Sequence, residues 1–317
     1  MSPVAAPGEG SVVTVGTFDG VHPGHRAVIA DVVARARATG RLSVAVTFEP
    51  HPLAVVNPSA APPRLTTAAE RIEALATTGV DRVMVLHFDA AMAALSPEAF
   101  VVEVLQRRCG MHELVIGHDH GFGKGRQGDV ATLQRLGEVH GFTVDVVEPV
   151  LPAGDELPVS SSRIRRAIAG GDLDGAARLL GRPYTVLASV TTGERRGRTI
   201  GYPTLNLALA PEKLLPPDGV WAVMVETPAG RFGGMMNQGH RPTFDDGRRL
   251  LEVHLFDFAG DLYGQWVRVQ WLAPLRAIRR FDGVDALRQQ LDEDAVRARA
   301  VVARGRPDPD ARLAAPE

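Results

Sequence analysis

Short β-rich runs alternate with amphipathic stretches through the first half of the chain, the pattern of a parallel sheet covered by helices. Strands are predicted at Ser11–Gly16, Leu42–Phe48, Arg82–Phe88, Glu113–Ile116 and Thr143–Val147. The helical stretches between them carry their own start signals. Thr67 with Glu70 three residues later reads as a capping box, and Ser96 followed by Pro97 reads as N-cap and N1.

Beyond about Gly181 the period changes. Alternating runs at Tyr184–Val190, Gly219–Glu226, Leu250–Phe256 and Trp266–Leu272 are separated by Gly, Pro and Asp turns, which predicts antiparallel strands in a small barrel. Two helical pieces, around Arg163–Ala169 and Leu173–Leu180, lie between the halves, with Gly170–Gly171 separating them and Asp172 as a cap. A last helix runs from roughly Val284 to Ala303 before Arg-Pro-Asp-Pro breaks it. The expected division is residues 1–180, residues 181–304 and a disordered tail from Gly305.

A length of 317 residues exceeds what one core usually organises, so two domains and two active sites are admissible. A hydrophobic share of 45% with 23% charged residues excludes a disordered or repetitive chain. The net charge of −2 excludes a general attraction to nucleic acid or anionic membrane, so phosphate recognition has to be local. One cysteine, Cys109, excludes a disulfide framework, and with no partner near it in sequence it reads as structural. No apolar run approaches the ~20 residues that cross a bilayer, and a cytoplasmic location is expected. Nothing in the pattern indicates an oligomeric state.

The first strand runs into Gly16-Thr17-Phe18-Asp19-Gly20-Val21-His22-Pro23-Gly24-His25 and then a helix. Such a junction aims backbone N–H groups and the positive end of a helix dipole at whatever sits above it, which suits a phosphate. His22 and His25 add donors able to stabilise charge building on an α-phosphate. An isolated His-x-Gly-His could equally be two loop histidines. The run Ser160-Ser161-Ser162-Arg163-Ile164-Arg165 puts hydroxyls and guanidinium groups at a helix start, although alone it could be a polar turn and N-cap.

Together these segments resemble the ATP-binding motifs of the nucleotidyltransferase superfamily, specifically the bacterial FAD synthetase branch. The resemblance implies ATP or phosphate contacts from Gly16, Phe18, Asp19, Gly24, Ser160, Ser161, Ser162 and Arg165, with His22 and His25 catalytic. In Gly117-His118-Asp119-His120-Gly121-Phe122-Gly123 it implies a nucleotide contact from Asp119. Lys124 and Arg126, just beyond, could neutralise pyrophosphate or the FMN phosphate and read equally well as a solvated basic loop. Thr47-Phe48-Glu49-Pro50-His51-Pro52 is similar to a flavin-side loop, with Pro50, His51 and Pro52 as the contacts. Clustered histidines at 118 and 120 lack a matching second ligand group, so zinc is not expected.

In the second half, a glycine-rich basic loop holding Gly193, Gly197 and Gly201 precedes Pro203-Thr204-Leu205-Asn206. The Thr204 hydroxyl and Asn206 carbonyl are hard oxygen donors of the kind Mg²⁺ takes. The loop lacks the Gly-Lys-Ser/Thr ending of a Walker motif and could, taken alone, be a hairpin turn. With Leu215–Ala222, Asn237–Thr243 and Leu251–Asp257 following in order, the half resembles the riboflavin kinase family. That resemblance implies Glu252 as catalytic base, Asn237 and Arg241 on the flavin, Mg²⁺ at Thr204 and Asn206, and ATP, riboflavin, FMN and FAD as substrates or products. Gln238 departs from the family's usual apolar residue, and Ile278 stands where a glutamate is frequent.

The overall expectation is an α/β Rossmann-like nucleotidyltransferase domain followed by a mainly antiparallel β-barrel riboflavin kinase domain with a C-terminal helix. Two other readings stay open from sequence: an adenylyltransferase whose barrel has lost its activity, and a flavin- or nucleotide-binding regulator without turnover.

Overall fold

The structure, a computed structural model, describes residues 10–118, 128–193, 196–240 and 249–304. The expected tail from Gly305 lies outside the described residues.

In the first half β1 (Ser11–Val15), β2 (Leu42–Glu49), β3 (Arg82–His87), β4 (Met111–Gly117) and β5 (Thr143–Val147) form one sheet in the order β3-β2-β1-β4-β5. Every pairing is parallel. β1 and β2 are buried along nearly their whole length, which is why they read as continuous apolar runs. Helix α1 (Pro23–Thr39) covers one face through Val28, Ile29, Val32 and Val33. Leaving β2, the chain forms α2 (Pro52–Val56), a 3₁₀ turn at Pro58–Ala60 and α3 (Ala68–Ala76). The Thr67/Glu70 capping box is formed in both directions, at 3.3 and 2.8 Å.

After β3 come α4 (Ala90–Ala94) and α5 (Pro97–Phe100), with Ser96 Oγ accepting from the Ala99 amide at 3.1 Å. A π-helical stretch, Val101–Gln106, and α6 (Arg107–Cys109) follow. Cys109 is buried in the sheet core beside Met84, and burial pushes its thiol up to about 12, so it is inert. Helix α7 (Val130–His140) leads into β5. The strand order reverses where β1 lies between β2 and β4, so the carboxyl end of β1, at Gly16, opens on the crevice where open α/β sheets bind ligands.

By packing, the chain divides into one compact unit of Met1–Ile164 with Leu179–Gly181 and a second of Arg165–Arg178 with Arg182–Glu317. The division runs through α8 (Ser161–Ala169), and α9 (Leu173–Leu180) follows. Asp172 caps α9 by accepting from the Gly175 amide at 2.8 Å.

The second half closes into a six-stranded antiparallel barrel. Its members are β6 (Thr185–Thr191), β7 (Leu205–Ala208), β8 (Gly219–Thr227), β9 (Gly230–His240), β10 (Arg249–Leu255) and β11 (Trp266–Arg276), with the short α10 (Arg196–Thr199) between β6 and β7. Helix α11 (Val284–Arg304) packs Ala298 and Leu291 onto Val220, Ala222 and Met235 on the outer face of β8 and β9. β7 and β9 are not among the alternating runs that the sequence pattern picks out. β9 carries Gly230, Gly233, Gly234 and Gly239, a composition that weakens strand propensity. The glycines answer close approach. A Cβ on Gly234 would lie 2.5 Å from the His254 carbonyl oxygen, and one on Gly233 2.5 Å from Val302 Cγ1.

Candidate active sites

Between β1 and α1 the chain makes a tight loop whose shape is set from below. Phe18 and Val21 sit at φ 47° and 42°, left-handed values that cost a non-glycine residue ~1–3 kcal/mol each. Both side chains are buried with Ile29, Val33 and Leu75, and that apolar burial offsets the strain. Gly24 lets the helix start approach closely, since a Cβ there would lie 3.2 Å from the His22 ring. A Cβ on Gly16 would meet the Phe18 ring at 3.1 Å.

His22 is the N-cap of α1 and Pro23 its first residue, with His22 Nδ1 accepting from the His25 amide at 3.4 Å. The two imidazoles stack at 3.7 Å and 18°. Burial, reinforced by the neighbouring His22, holds His25 well below the usual histidine range. It is therefore neutral at pH 7, a single-proton donor, and its Nδ1 has no hydrogen-bond partner among the described residues. The pair sits at the positive end of a 17-residue helix.

Ser161 reaches this loop from α8, donating through Oγ to the Asp19 carbonyl oxygen at 2.8 Å. Ser160 Oγ accepts from the Arg163 amide at 3.3 Å, while Ser162 is exposed. Arg165 falls in the second packing unit. The Asp19 carboxylate faces into the protein, where it accepts from the Leu65 amide at 3.0 Å, the Thr66 amide at 2.9 Å and Thr66 Oγ1 at 3.1 Å. Its geometry is that of a clamp on loop 64–66, a partner the sequence reading missed.

At the end of β2, His51 caps α2, Nδ1 accepting from the Leu53 amide at 3.1 Å between Pro50 and Pro52. Asp119, with His120, Lys124 and Arg126, lies outside the described residues.

In the barrel, strand register assembles the site. Glu252 of β10 is paired with Asn206 of β7 on one side and with Asn237 of β9 on the other. Opposed residues in an antiparallel sheet share a face. Leu251, Val253 and Leu255 are buried in the barrel, so Glu252 and both asparagines stand on its outer face. Asn206 is buried, and its Oδ1 has no hydrogen-bond partner among the described residues. A buried oxygen in that state suits a hard cation.

The glycine-rich loop lies directly against these residues. A Cβ on Gly193 would lie 2.0 Å from Asn206 Nδ2; one on Gly197 would lie 2.1 Å from the Tyr202 carbonyl oxygen and 3.6 Å from Thr204 Oγ1. Gly201 takes φ 86°. Among the described residues no group of three or more His, Cys, Asp or Glu could hold a metal. Arg241 lies outside the described residues.

The two departures from the family pattern have local explanations. Gln238 points into the barrel, wholly buried, donating to the Pro216 carbonyl at 2.6 Å and accepting from Trp271 Nε1 at 3.0 Å. Ile278 leans over Gly239, where a Cβ would come within 2.4 Å of its Cδ1. Gln238 points away from the face that carries Glu252, whereas Ile278 lies over that face, because Gly239 is two residues from Asn237 on the same strand.

Comparison with known proteins separates the two halves in the same order. Residues 5–163 match the family model for FAD synthetase and residues 180–302 that for riboflavin kinase. A bifunctional riboflavin kinase/FMN adenylyltransferase from Pseudomonas fluorescens is 41% identical over 295 residues, 93% of this chain and 94% of that one. The protein of the same description from Escherichia coli K12 is 38% identical over 298 residues, covering 93% of each. Among solved structures, one described as a macrolide-efflux protein from Streptococcus pneumoniae superposes with TM-score 0.80 at 34% identity, over 93% of this chain and 95% of that one. Efflux is that protein's description; among the described residues here no helix is long and apolar enough to cross a membrane. With both halves matched in sequence order and relatives aligned over nearly their whole length, the chain belongs to the bifunctional riboflavin kinase/FMN adenylyltransferase family.

Proposed function

We propose that the two activities of the family are divided between the two halves: residues 181–304 convert riboflavin and ATP to FMN and ADP, and residues 1–180 convert FMN and ATP to FAD and diphosphate. The observation that carries the first assignment is the register that sets Glu252 between Asn206 and Asn237. Glu252 takes the proton of the ribityl 5′-hydroxyl as its oxygen bonds to the γ-phosphorus and the bond from that phosphorus to ADP breaks. Asn237 and Arg241 hold the flavin. The loop of Gly193, Gly197 and Gly201 wraps the ATP phosphates; at the first two positions a Cβ would collide with Asn206 and with the Tyr202 carbonyl oxygen, so glycine is what lets the loop lie against β7. Mg²⁺ on Thr204 and Asn206 would neutralise phosphate charge there.

In the α/β half, an FMN phosphate oxygen attacks the α-phosphorus of ATP and diphosphate leaves. The N-terminal amides of α1 and the imidazoles of His22 and His25 donate to the oxygens on which charge builds. Ser160, Ser161, Ser162 and Arg165, with Asp119, hold the nucleotide; Pro50, His51 and Pro52 line the flavin side. Asp19 acts from behind, holding loop 64–66.

The test is a time course with riboflavin and Mg-ATP, the flavins separated by chromatography. FMN followed by FAD is expected. FMN that never becomes FAD, or FAD formed from added FMN but no FMN from riboflavin, would leave only one half active.

A further inference from the structure

Behind the loop that leaves β2 lies a cluster of four charged groups, three of them buried. Arg71, in α3, is wholly buried, and its Nη2 donates to the Phe48 carbonyl oxygen at 2.9 Å and to Glu49 Oε2 at 2.8 Å. Arg64, also buried, places Nη2 3.9 Å from the same Glu49 oxygen and Nε 3.9 Å from Asp19 Oδ1. The series Asp19, Arg64, Glu49, Arg71 thus runs from the ATP-motif loop to the end of β2, with two charges of each sign.

Stability does not account for Arg71. Its Nε and Nη1 are buried with no hydrogen-bond partner among the described residues, and orphaned donors on a buried cation cost folding free energy. An apolar side chain of similar volume is often the more stable choice at such a site. Among the described residues both side-chain hydrogen bonds of Arg71 are directed at the end of β2, where Glu49 is the one member of the cluster with substantial exposure, 36%. A carboxylate there can accept from hydroxyl or N–H donors, which a flavin carries on its ribityl chain and ring. Left unbalanced, it would repel a phosphate-bearing substrate; two guanidinium groups behind it remove that repulsion.

We propose that Arg71 is a positioning residue for adenylyl transfer: through Glu49 and the Phe48 carbonyl it fixes the start of the Pro50–Pro52 loop and presents the Glu49 carboxylate to the flavin substrate. This rests on the reading of that loop as the flavin side. It concerns FMN capture, not the chemical step.

The test is the steady-state kinetics of FAD formation with FMN and ATP varied in turn, and riboflavin phosphorylation assayed in the same preparations as the folding control. Arg71→Met should raise KM for FMN about tenfold, the size of one misplaced charge-assisted hydrogen bond, with kcat, KM for ATP and phosphorylation little changed. Arg71→Lys should restore most of the loss. Glu49→Gln should reproduce it, and the double variant should be no worse than Arg71→Met alone. An unchanged KM for FMN in Arg71→Met, or additive effects in the double variant, would overturn the proposal. Should Arg71→Met fail to fold, Glu49→Gln, at a part-exposed position, decides alone: an unchanged KM for FMN overturns the proposal. His51→Ala separates this from the loop assignment: a raised KM for FMN there beside a normal Arg71→Met refutes Arg71 only, whereas an effect confined to KM for ATP refutes the flavin side itself.

Discussion

The two halves build phosphate-handling sites from different materials. In the α/β half the loop between β1 and α1 is one ten-residue segment, Gly16 to His25, whose shape is its own backbone, pinned from beneath by Phe18 and Val21 and joined by Ser161. In the barrel, Asn206, Asn237 and Glu252 are far apart in sequence, and only the pairing of three strands makes them neighbours. A contiguous site depends on loop conformation and tolerates changes elsewhere in the sheet. A register-borne site depends on strand pairing, because a slip of one residue would turn Glu252 into the barrel and Leu251 out of it.

The largest expected effect separates the halves outright. Glu252→Gln removes the base and should lower FMN formation by ~10²–10⁴-fold while added FMN is still converted to FAD. The reciprocal variant, His25→Ala, removes a donor at the developing charge and should cost FAD formation ~10²–10³-fold with FMN formation intact. Both are read from the same chromatographic assay. A folded variant that loses both activities would end the comparison, since the sites would not be separate.

A smaller effect tests how the barrel loop is seated. Gly193→Ala places a methyl where the Asn206 amide now lies, 2.0 Å away, so either the loop or Asn206 has to move. The kinase should lose roughly tenfold to 10²-fold, the range for a misplacement of about an ångström. Titration with Mg²⁺ distinguishes the two movements. A raised Mg²⁺ requirement locates the displacement at Asn206 Oδ1, and a raised KM for ATP at unchanged Mg²⁺ requirement locates it in the loop.

The same contrast explains what the sequence disclosed. The contiguous motif, the Thr67/Glu70 capping box and the five parallel strands could be read directly, because each is a local pattern. β9 could not, because its glycines answer to α11 and β10, elements distant in sequence. β7 is four residues long and lies inside the motif that follows the glycine loop. The inward turn of Gln238 follows from its register with Leu251, which no local pattern reveals. Arg71 and Glu49 are 22 residues apart, and buried ion pairs leave no periodicity. Asp19 belongs to a legible motif, yet its carboxylate serves loop 64–66, so the string located the loop correctly without disclosing which way each side chain points.

The smallest effect concerns acid. His25 in the α/β half and His254 in the barrel are both held below the ordinary value of 6.5. Burial is the main cause in each. For His25 the neighbouring His22 adds to it, whereas for His254 a hydrogen bond with the Pro203 carbonyl oxygen, at 2.8 Å, opposes it. A histidine whose folded pKa is lowered binds fewer protons in the native than in the unfolded state between the two values. Stability from keeping it neutral is therefore fully present above about 6.5 and is lost as pH falls below that. Thermal unfolding recorded from about pH 7.5 down to about pH 5 should show both halves weakening, the α/β half more steeply, its FAD-forming activity lost at lower temperature as the medium acidifies. His25→Asn should flatten the α/β response and leave that of the barrel unchanged. Equal slopes in both halves, undisturbed by His25→Asn, would mean that the stacked pair is not what keeps the α/β site neutral, and the donor role given to an uncharged His25 would go with it.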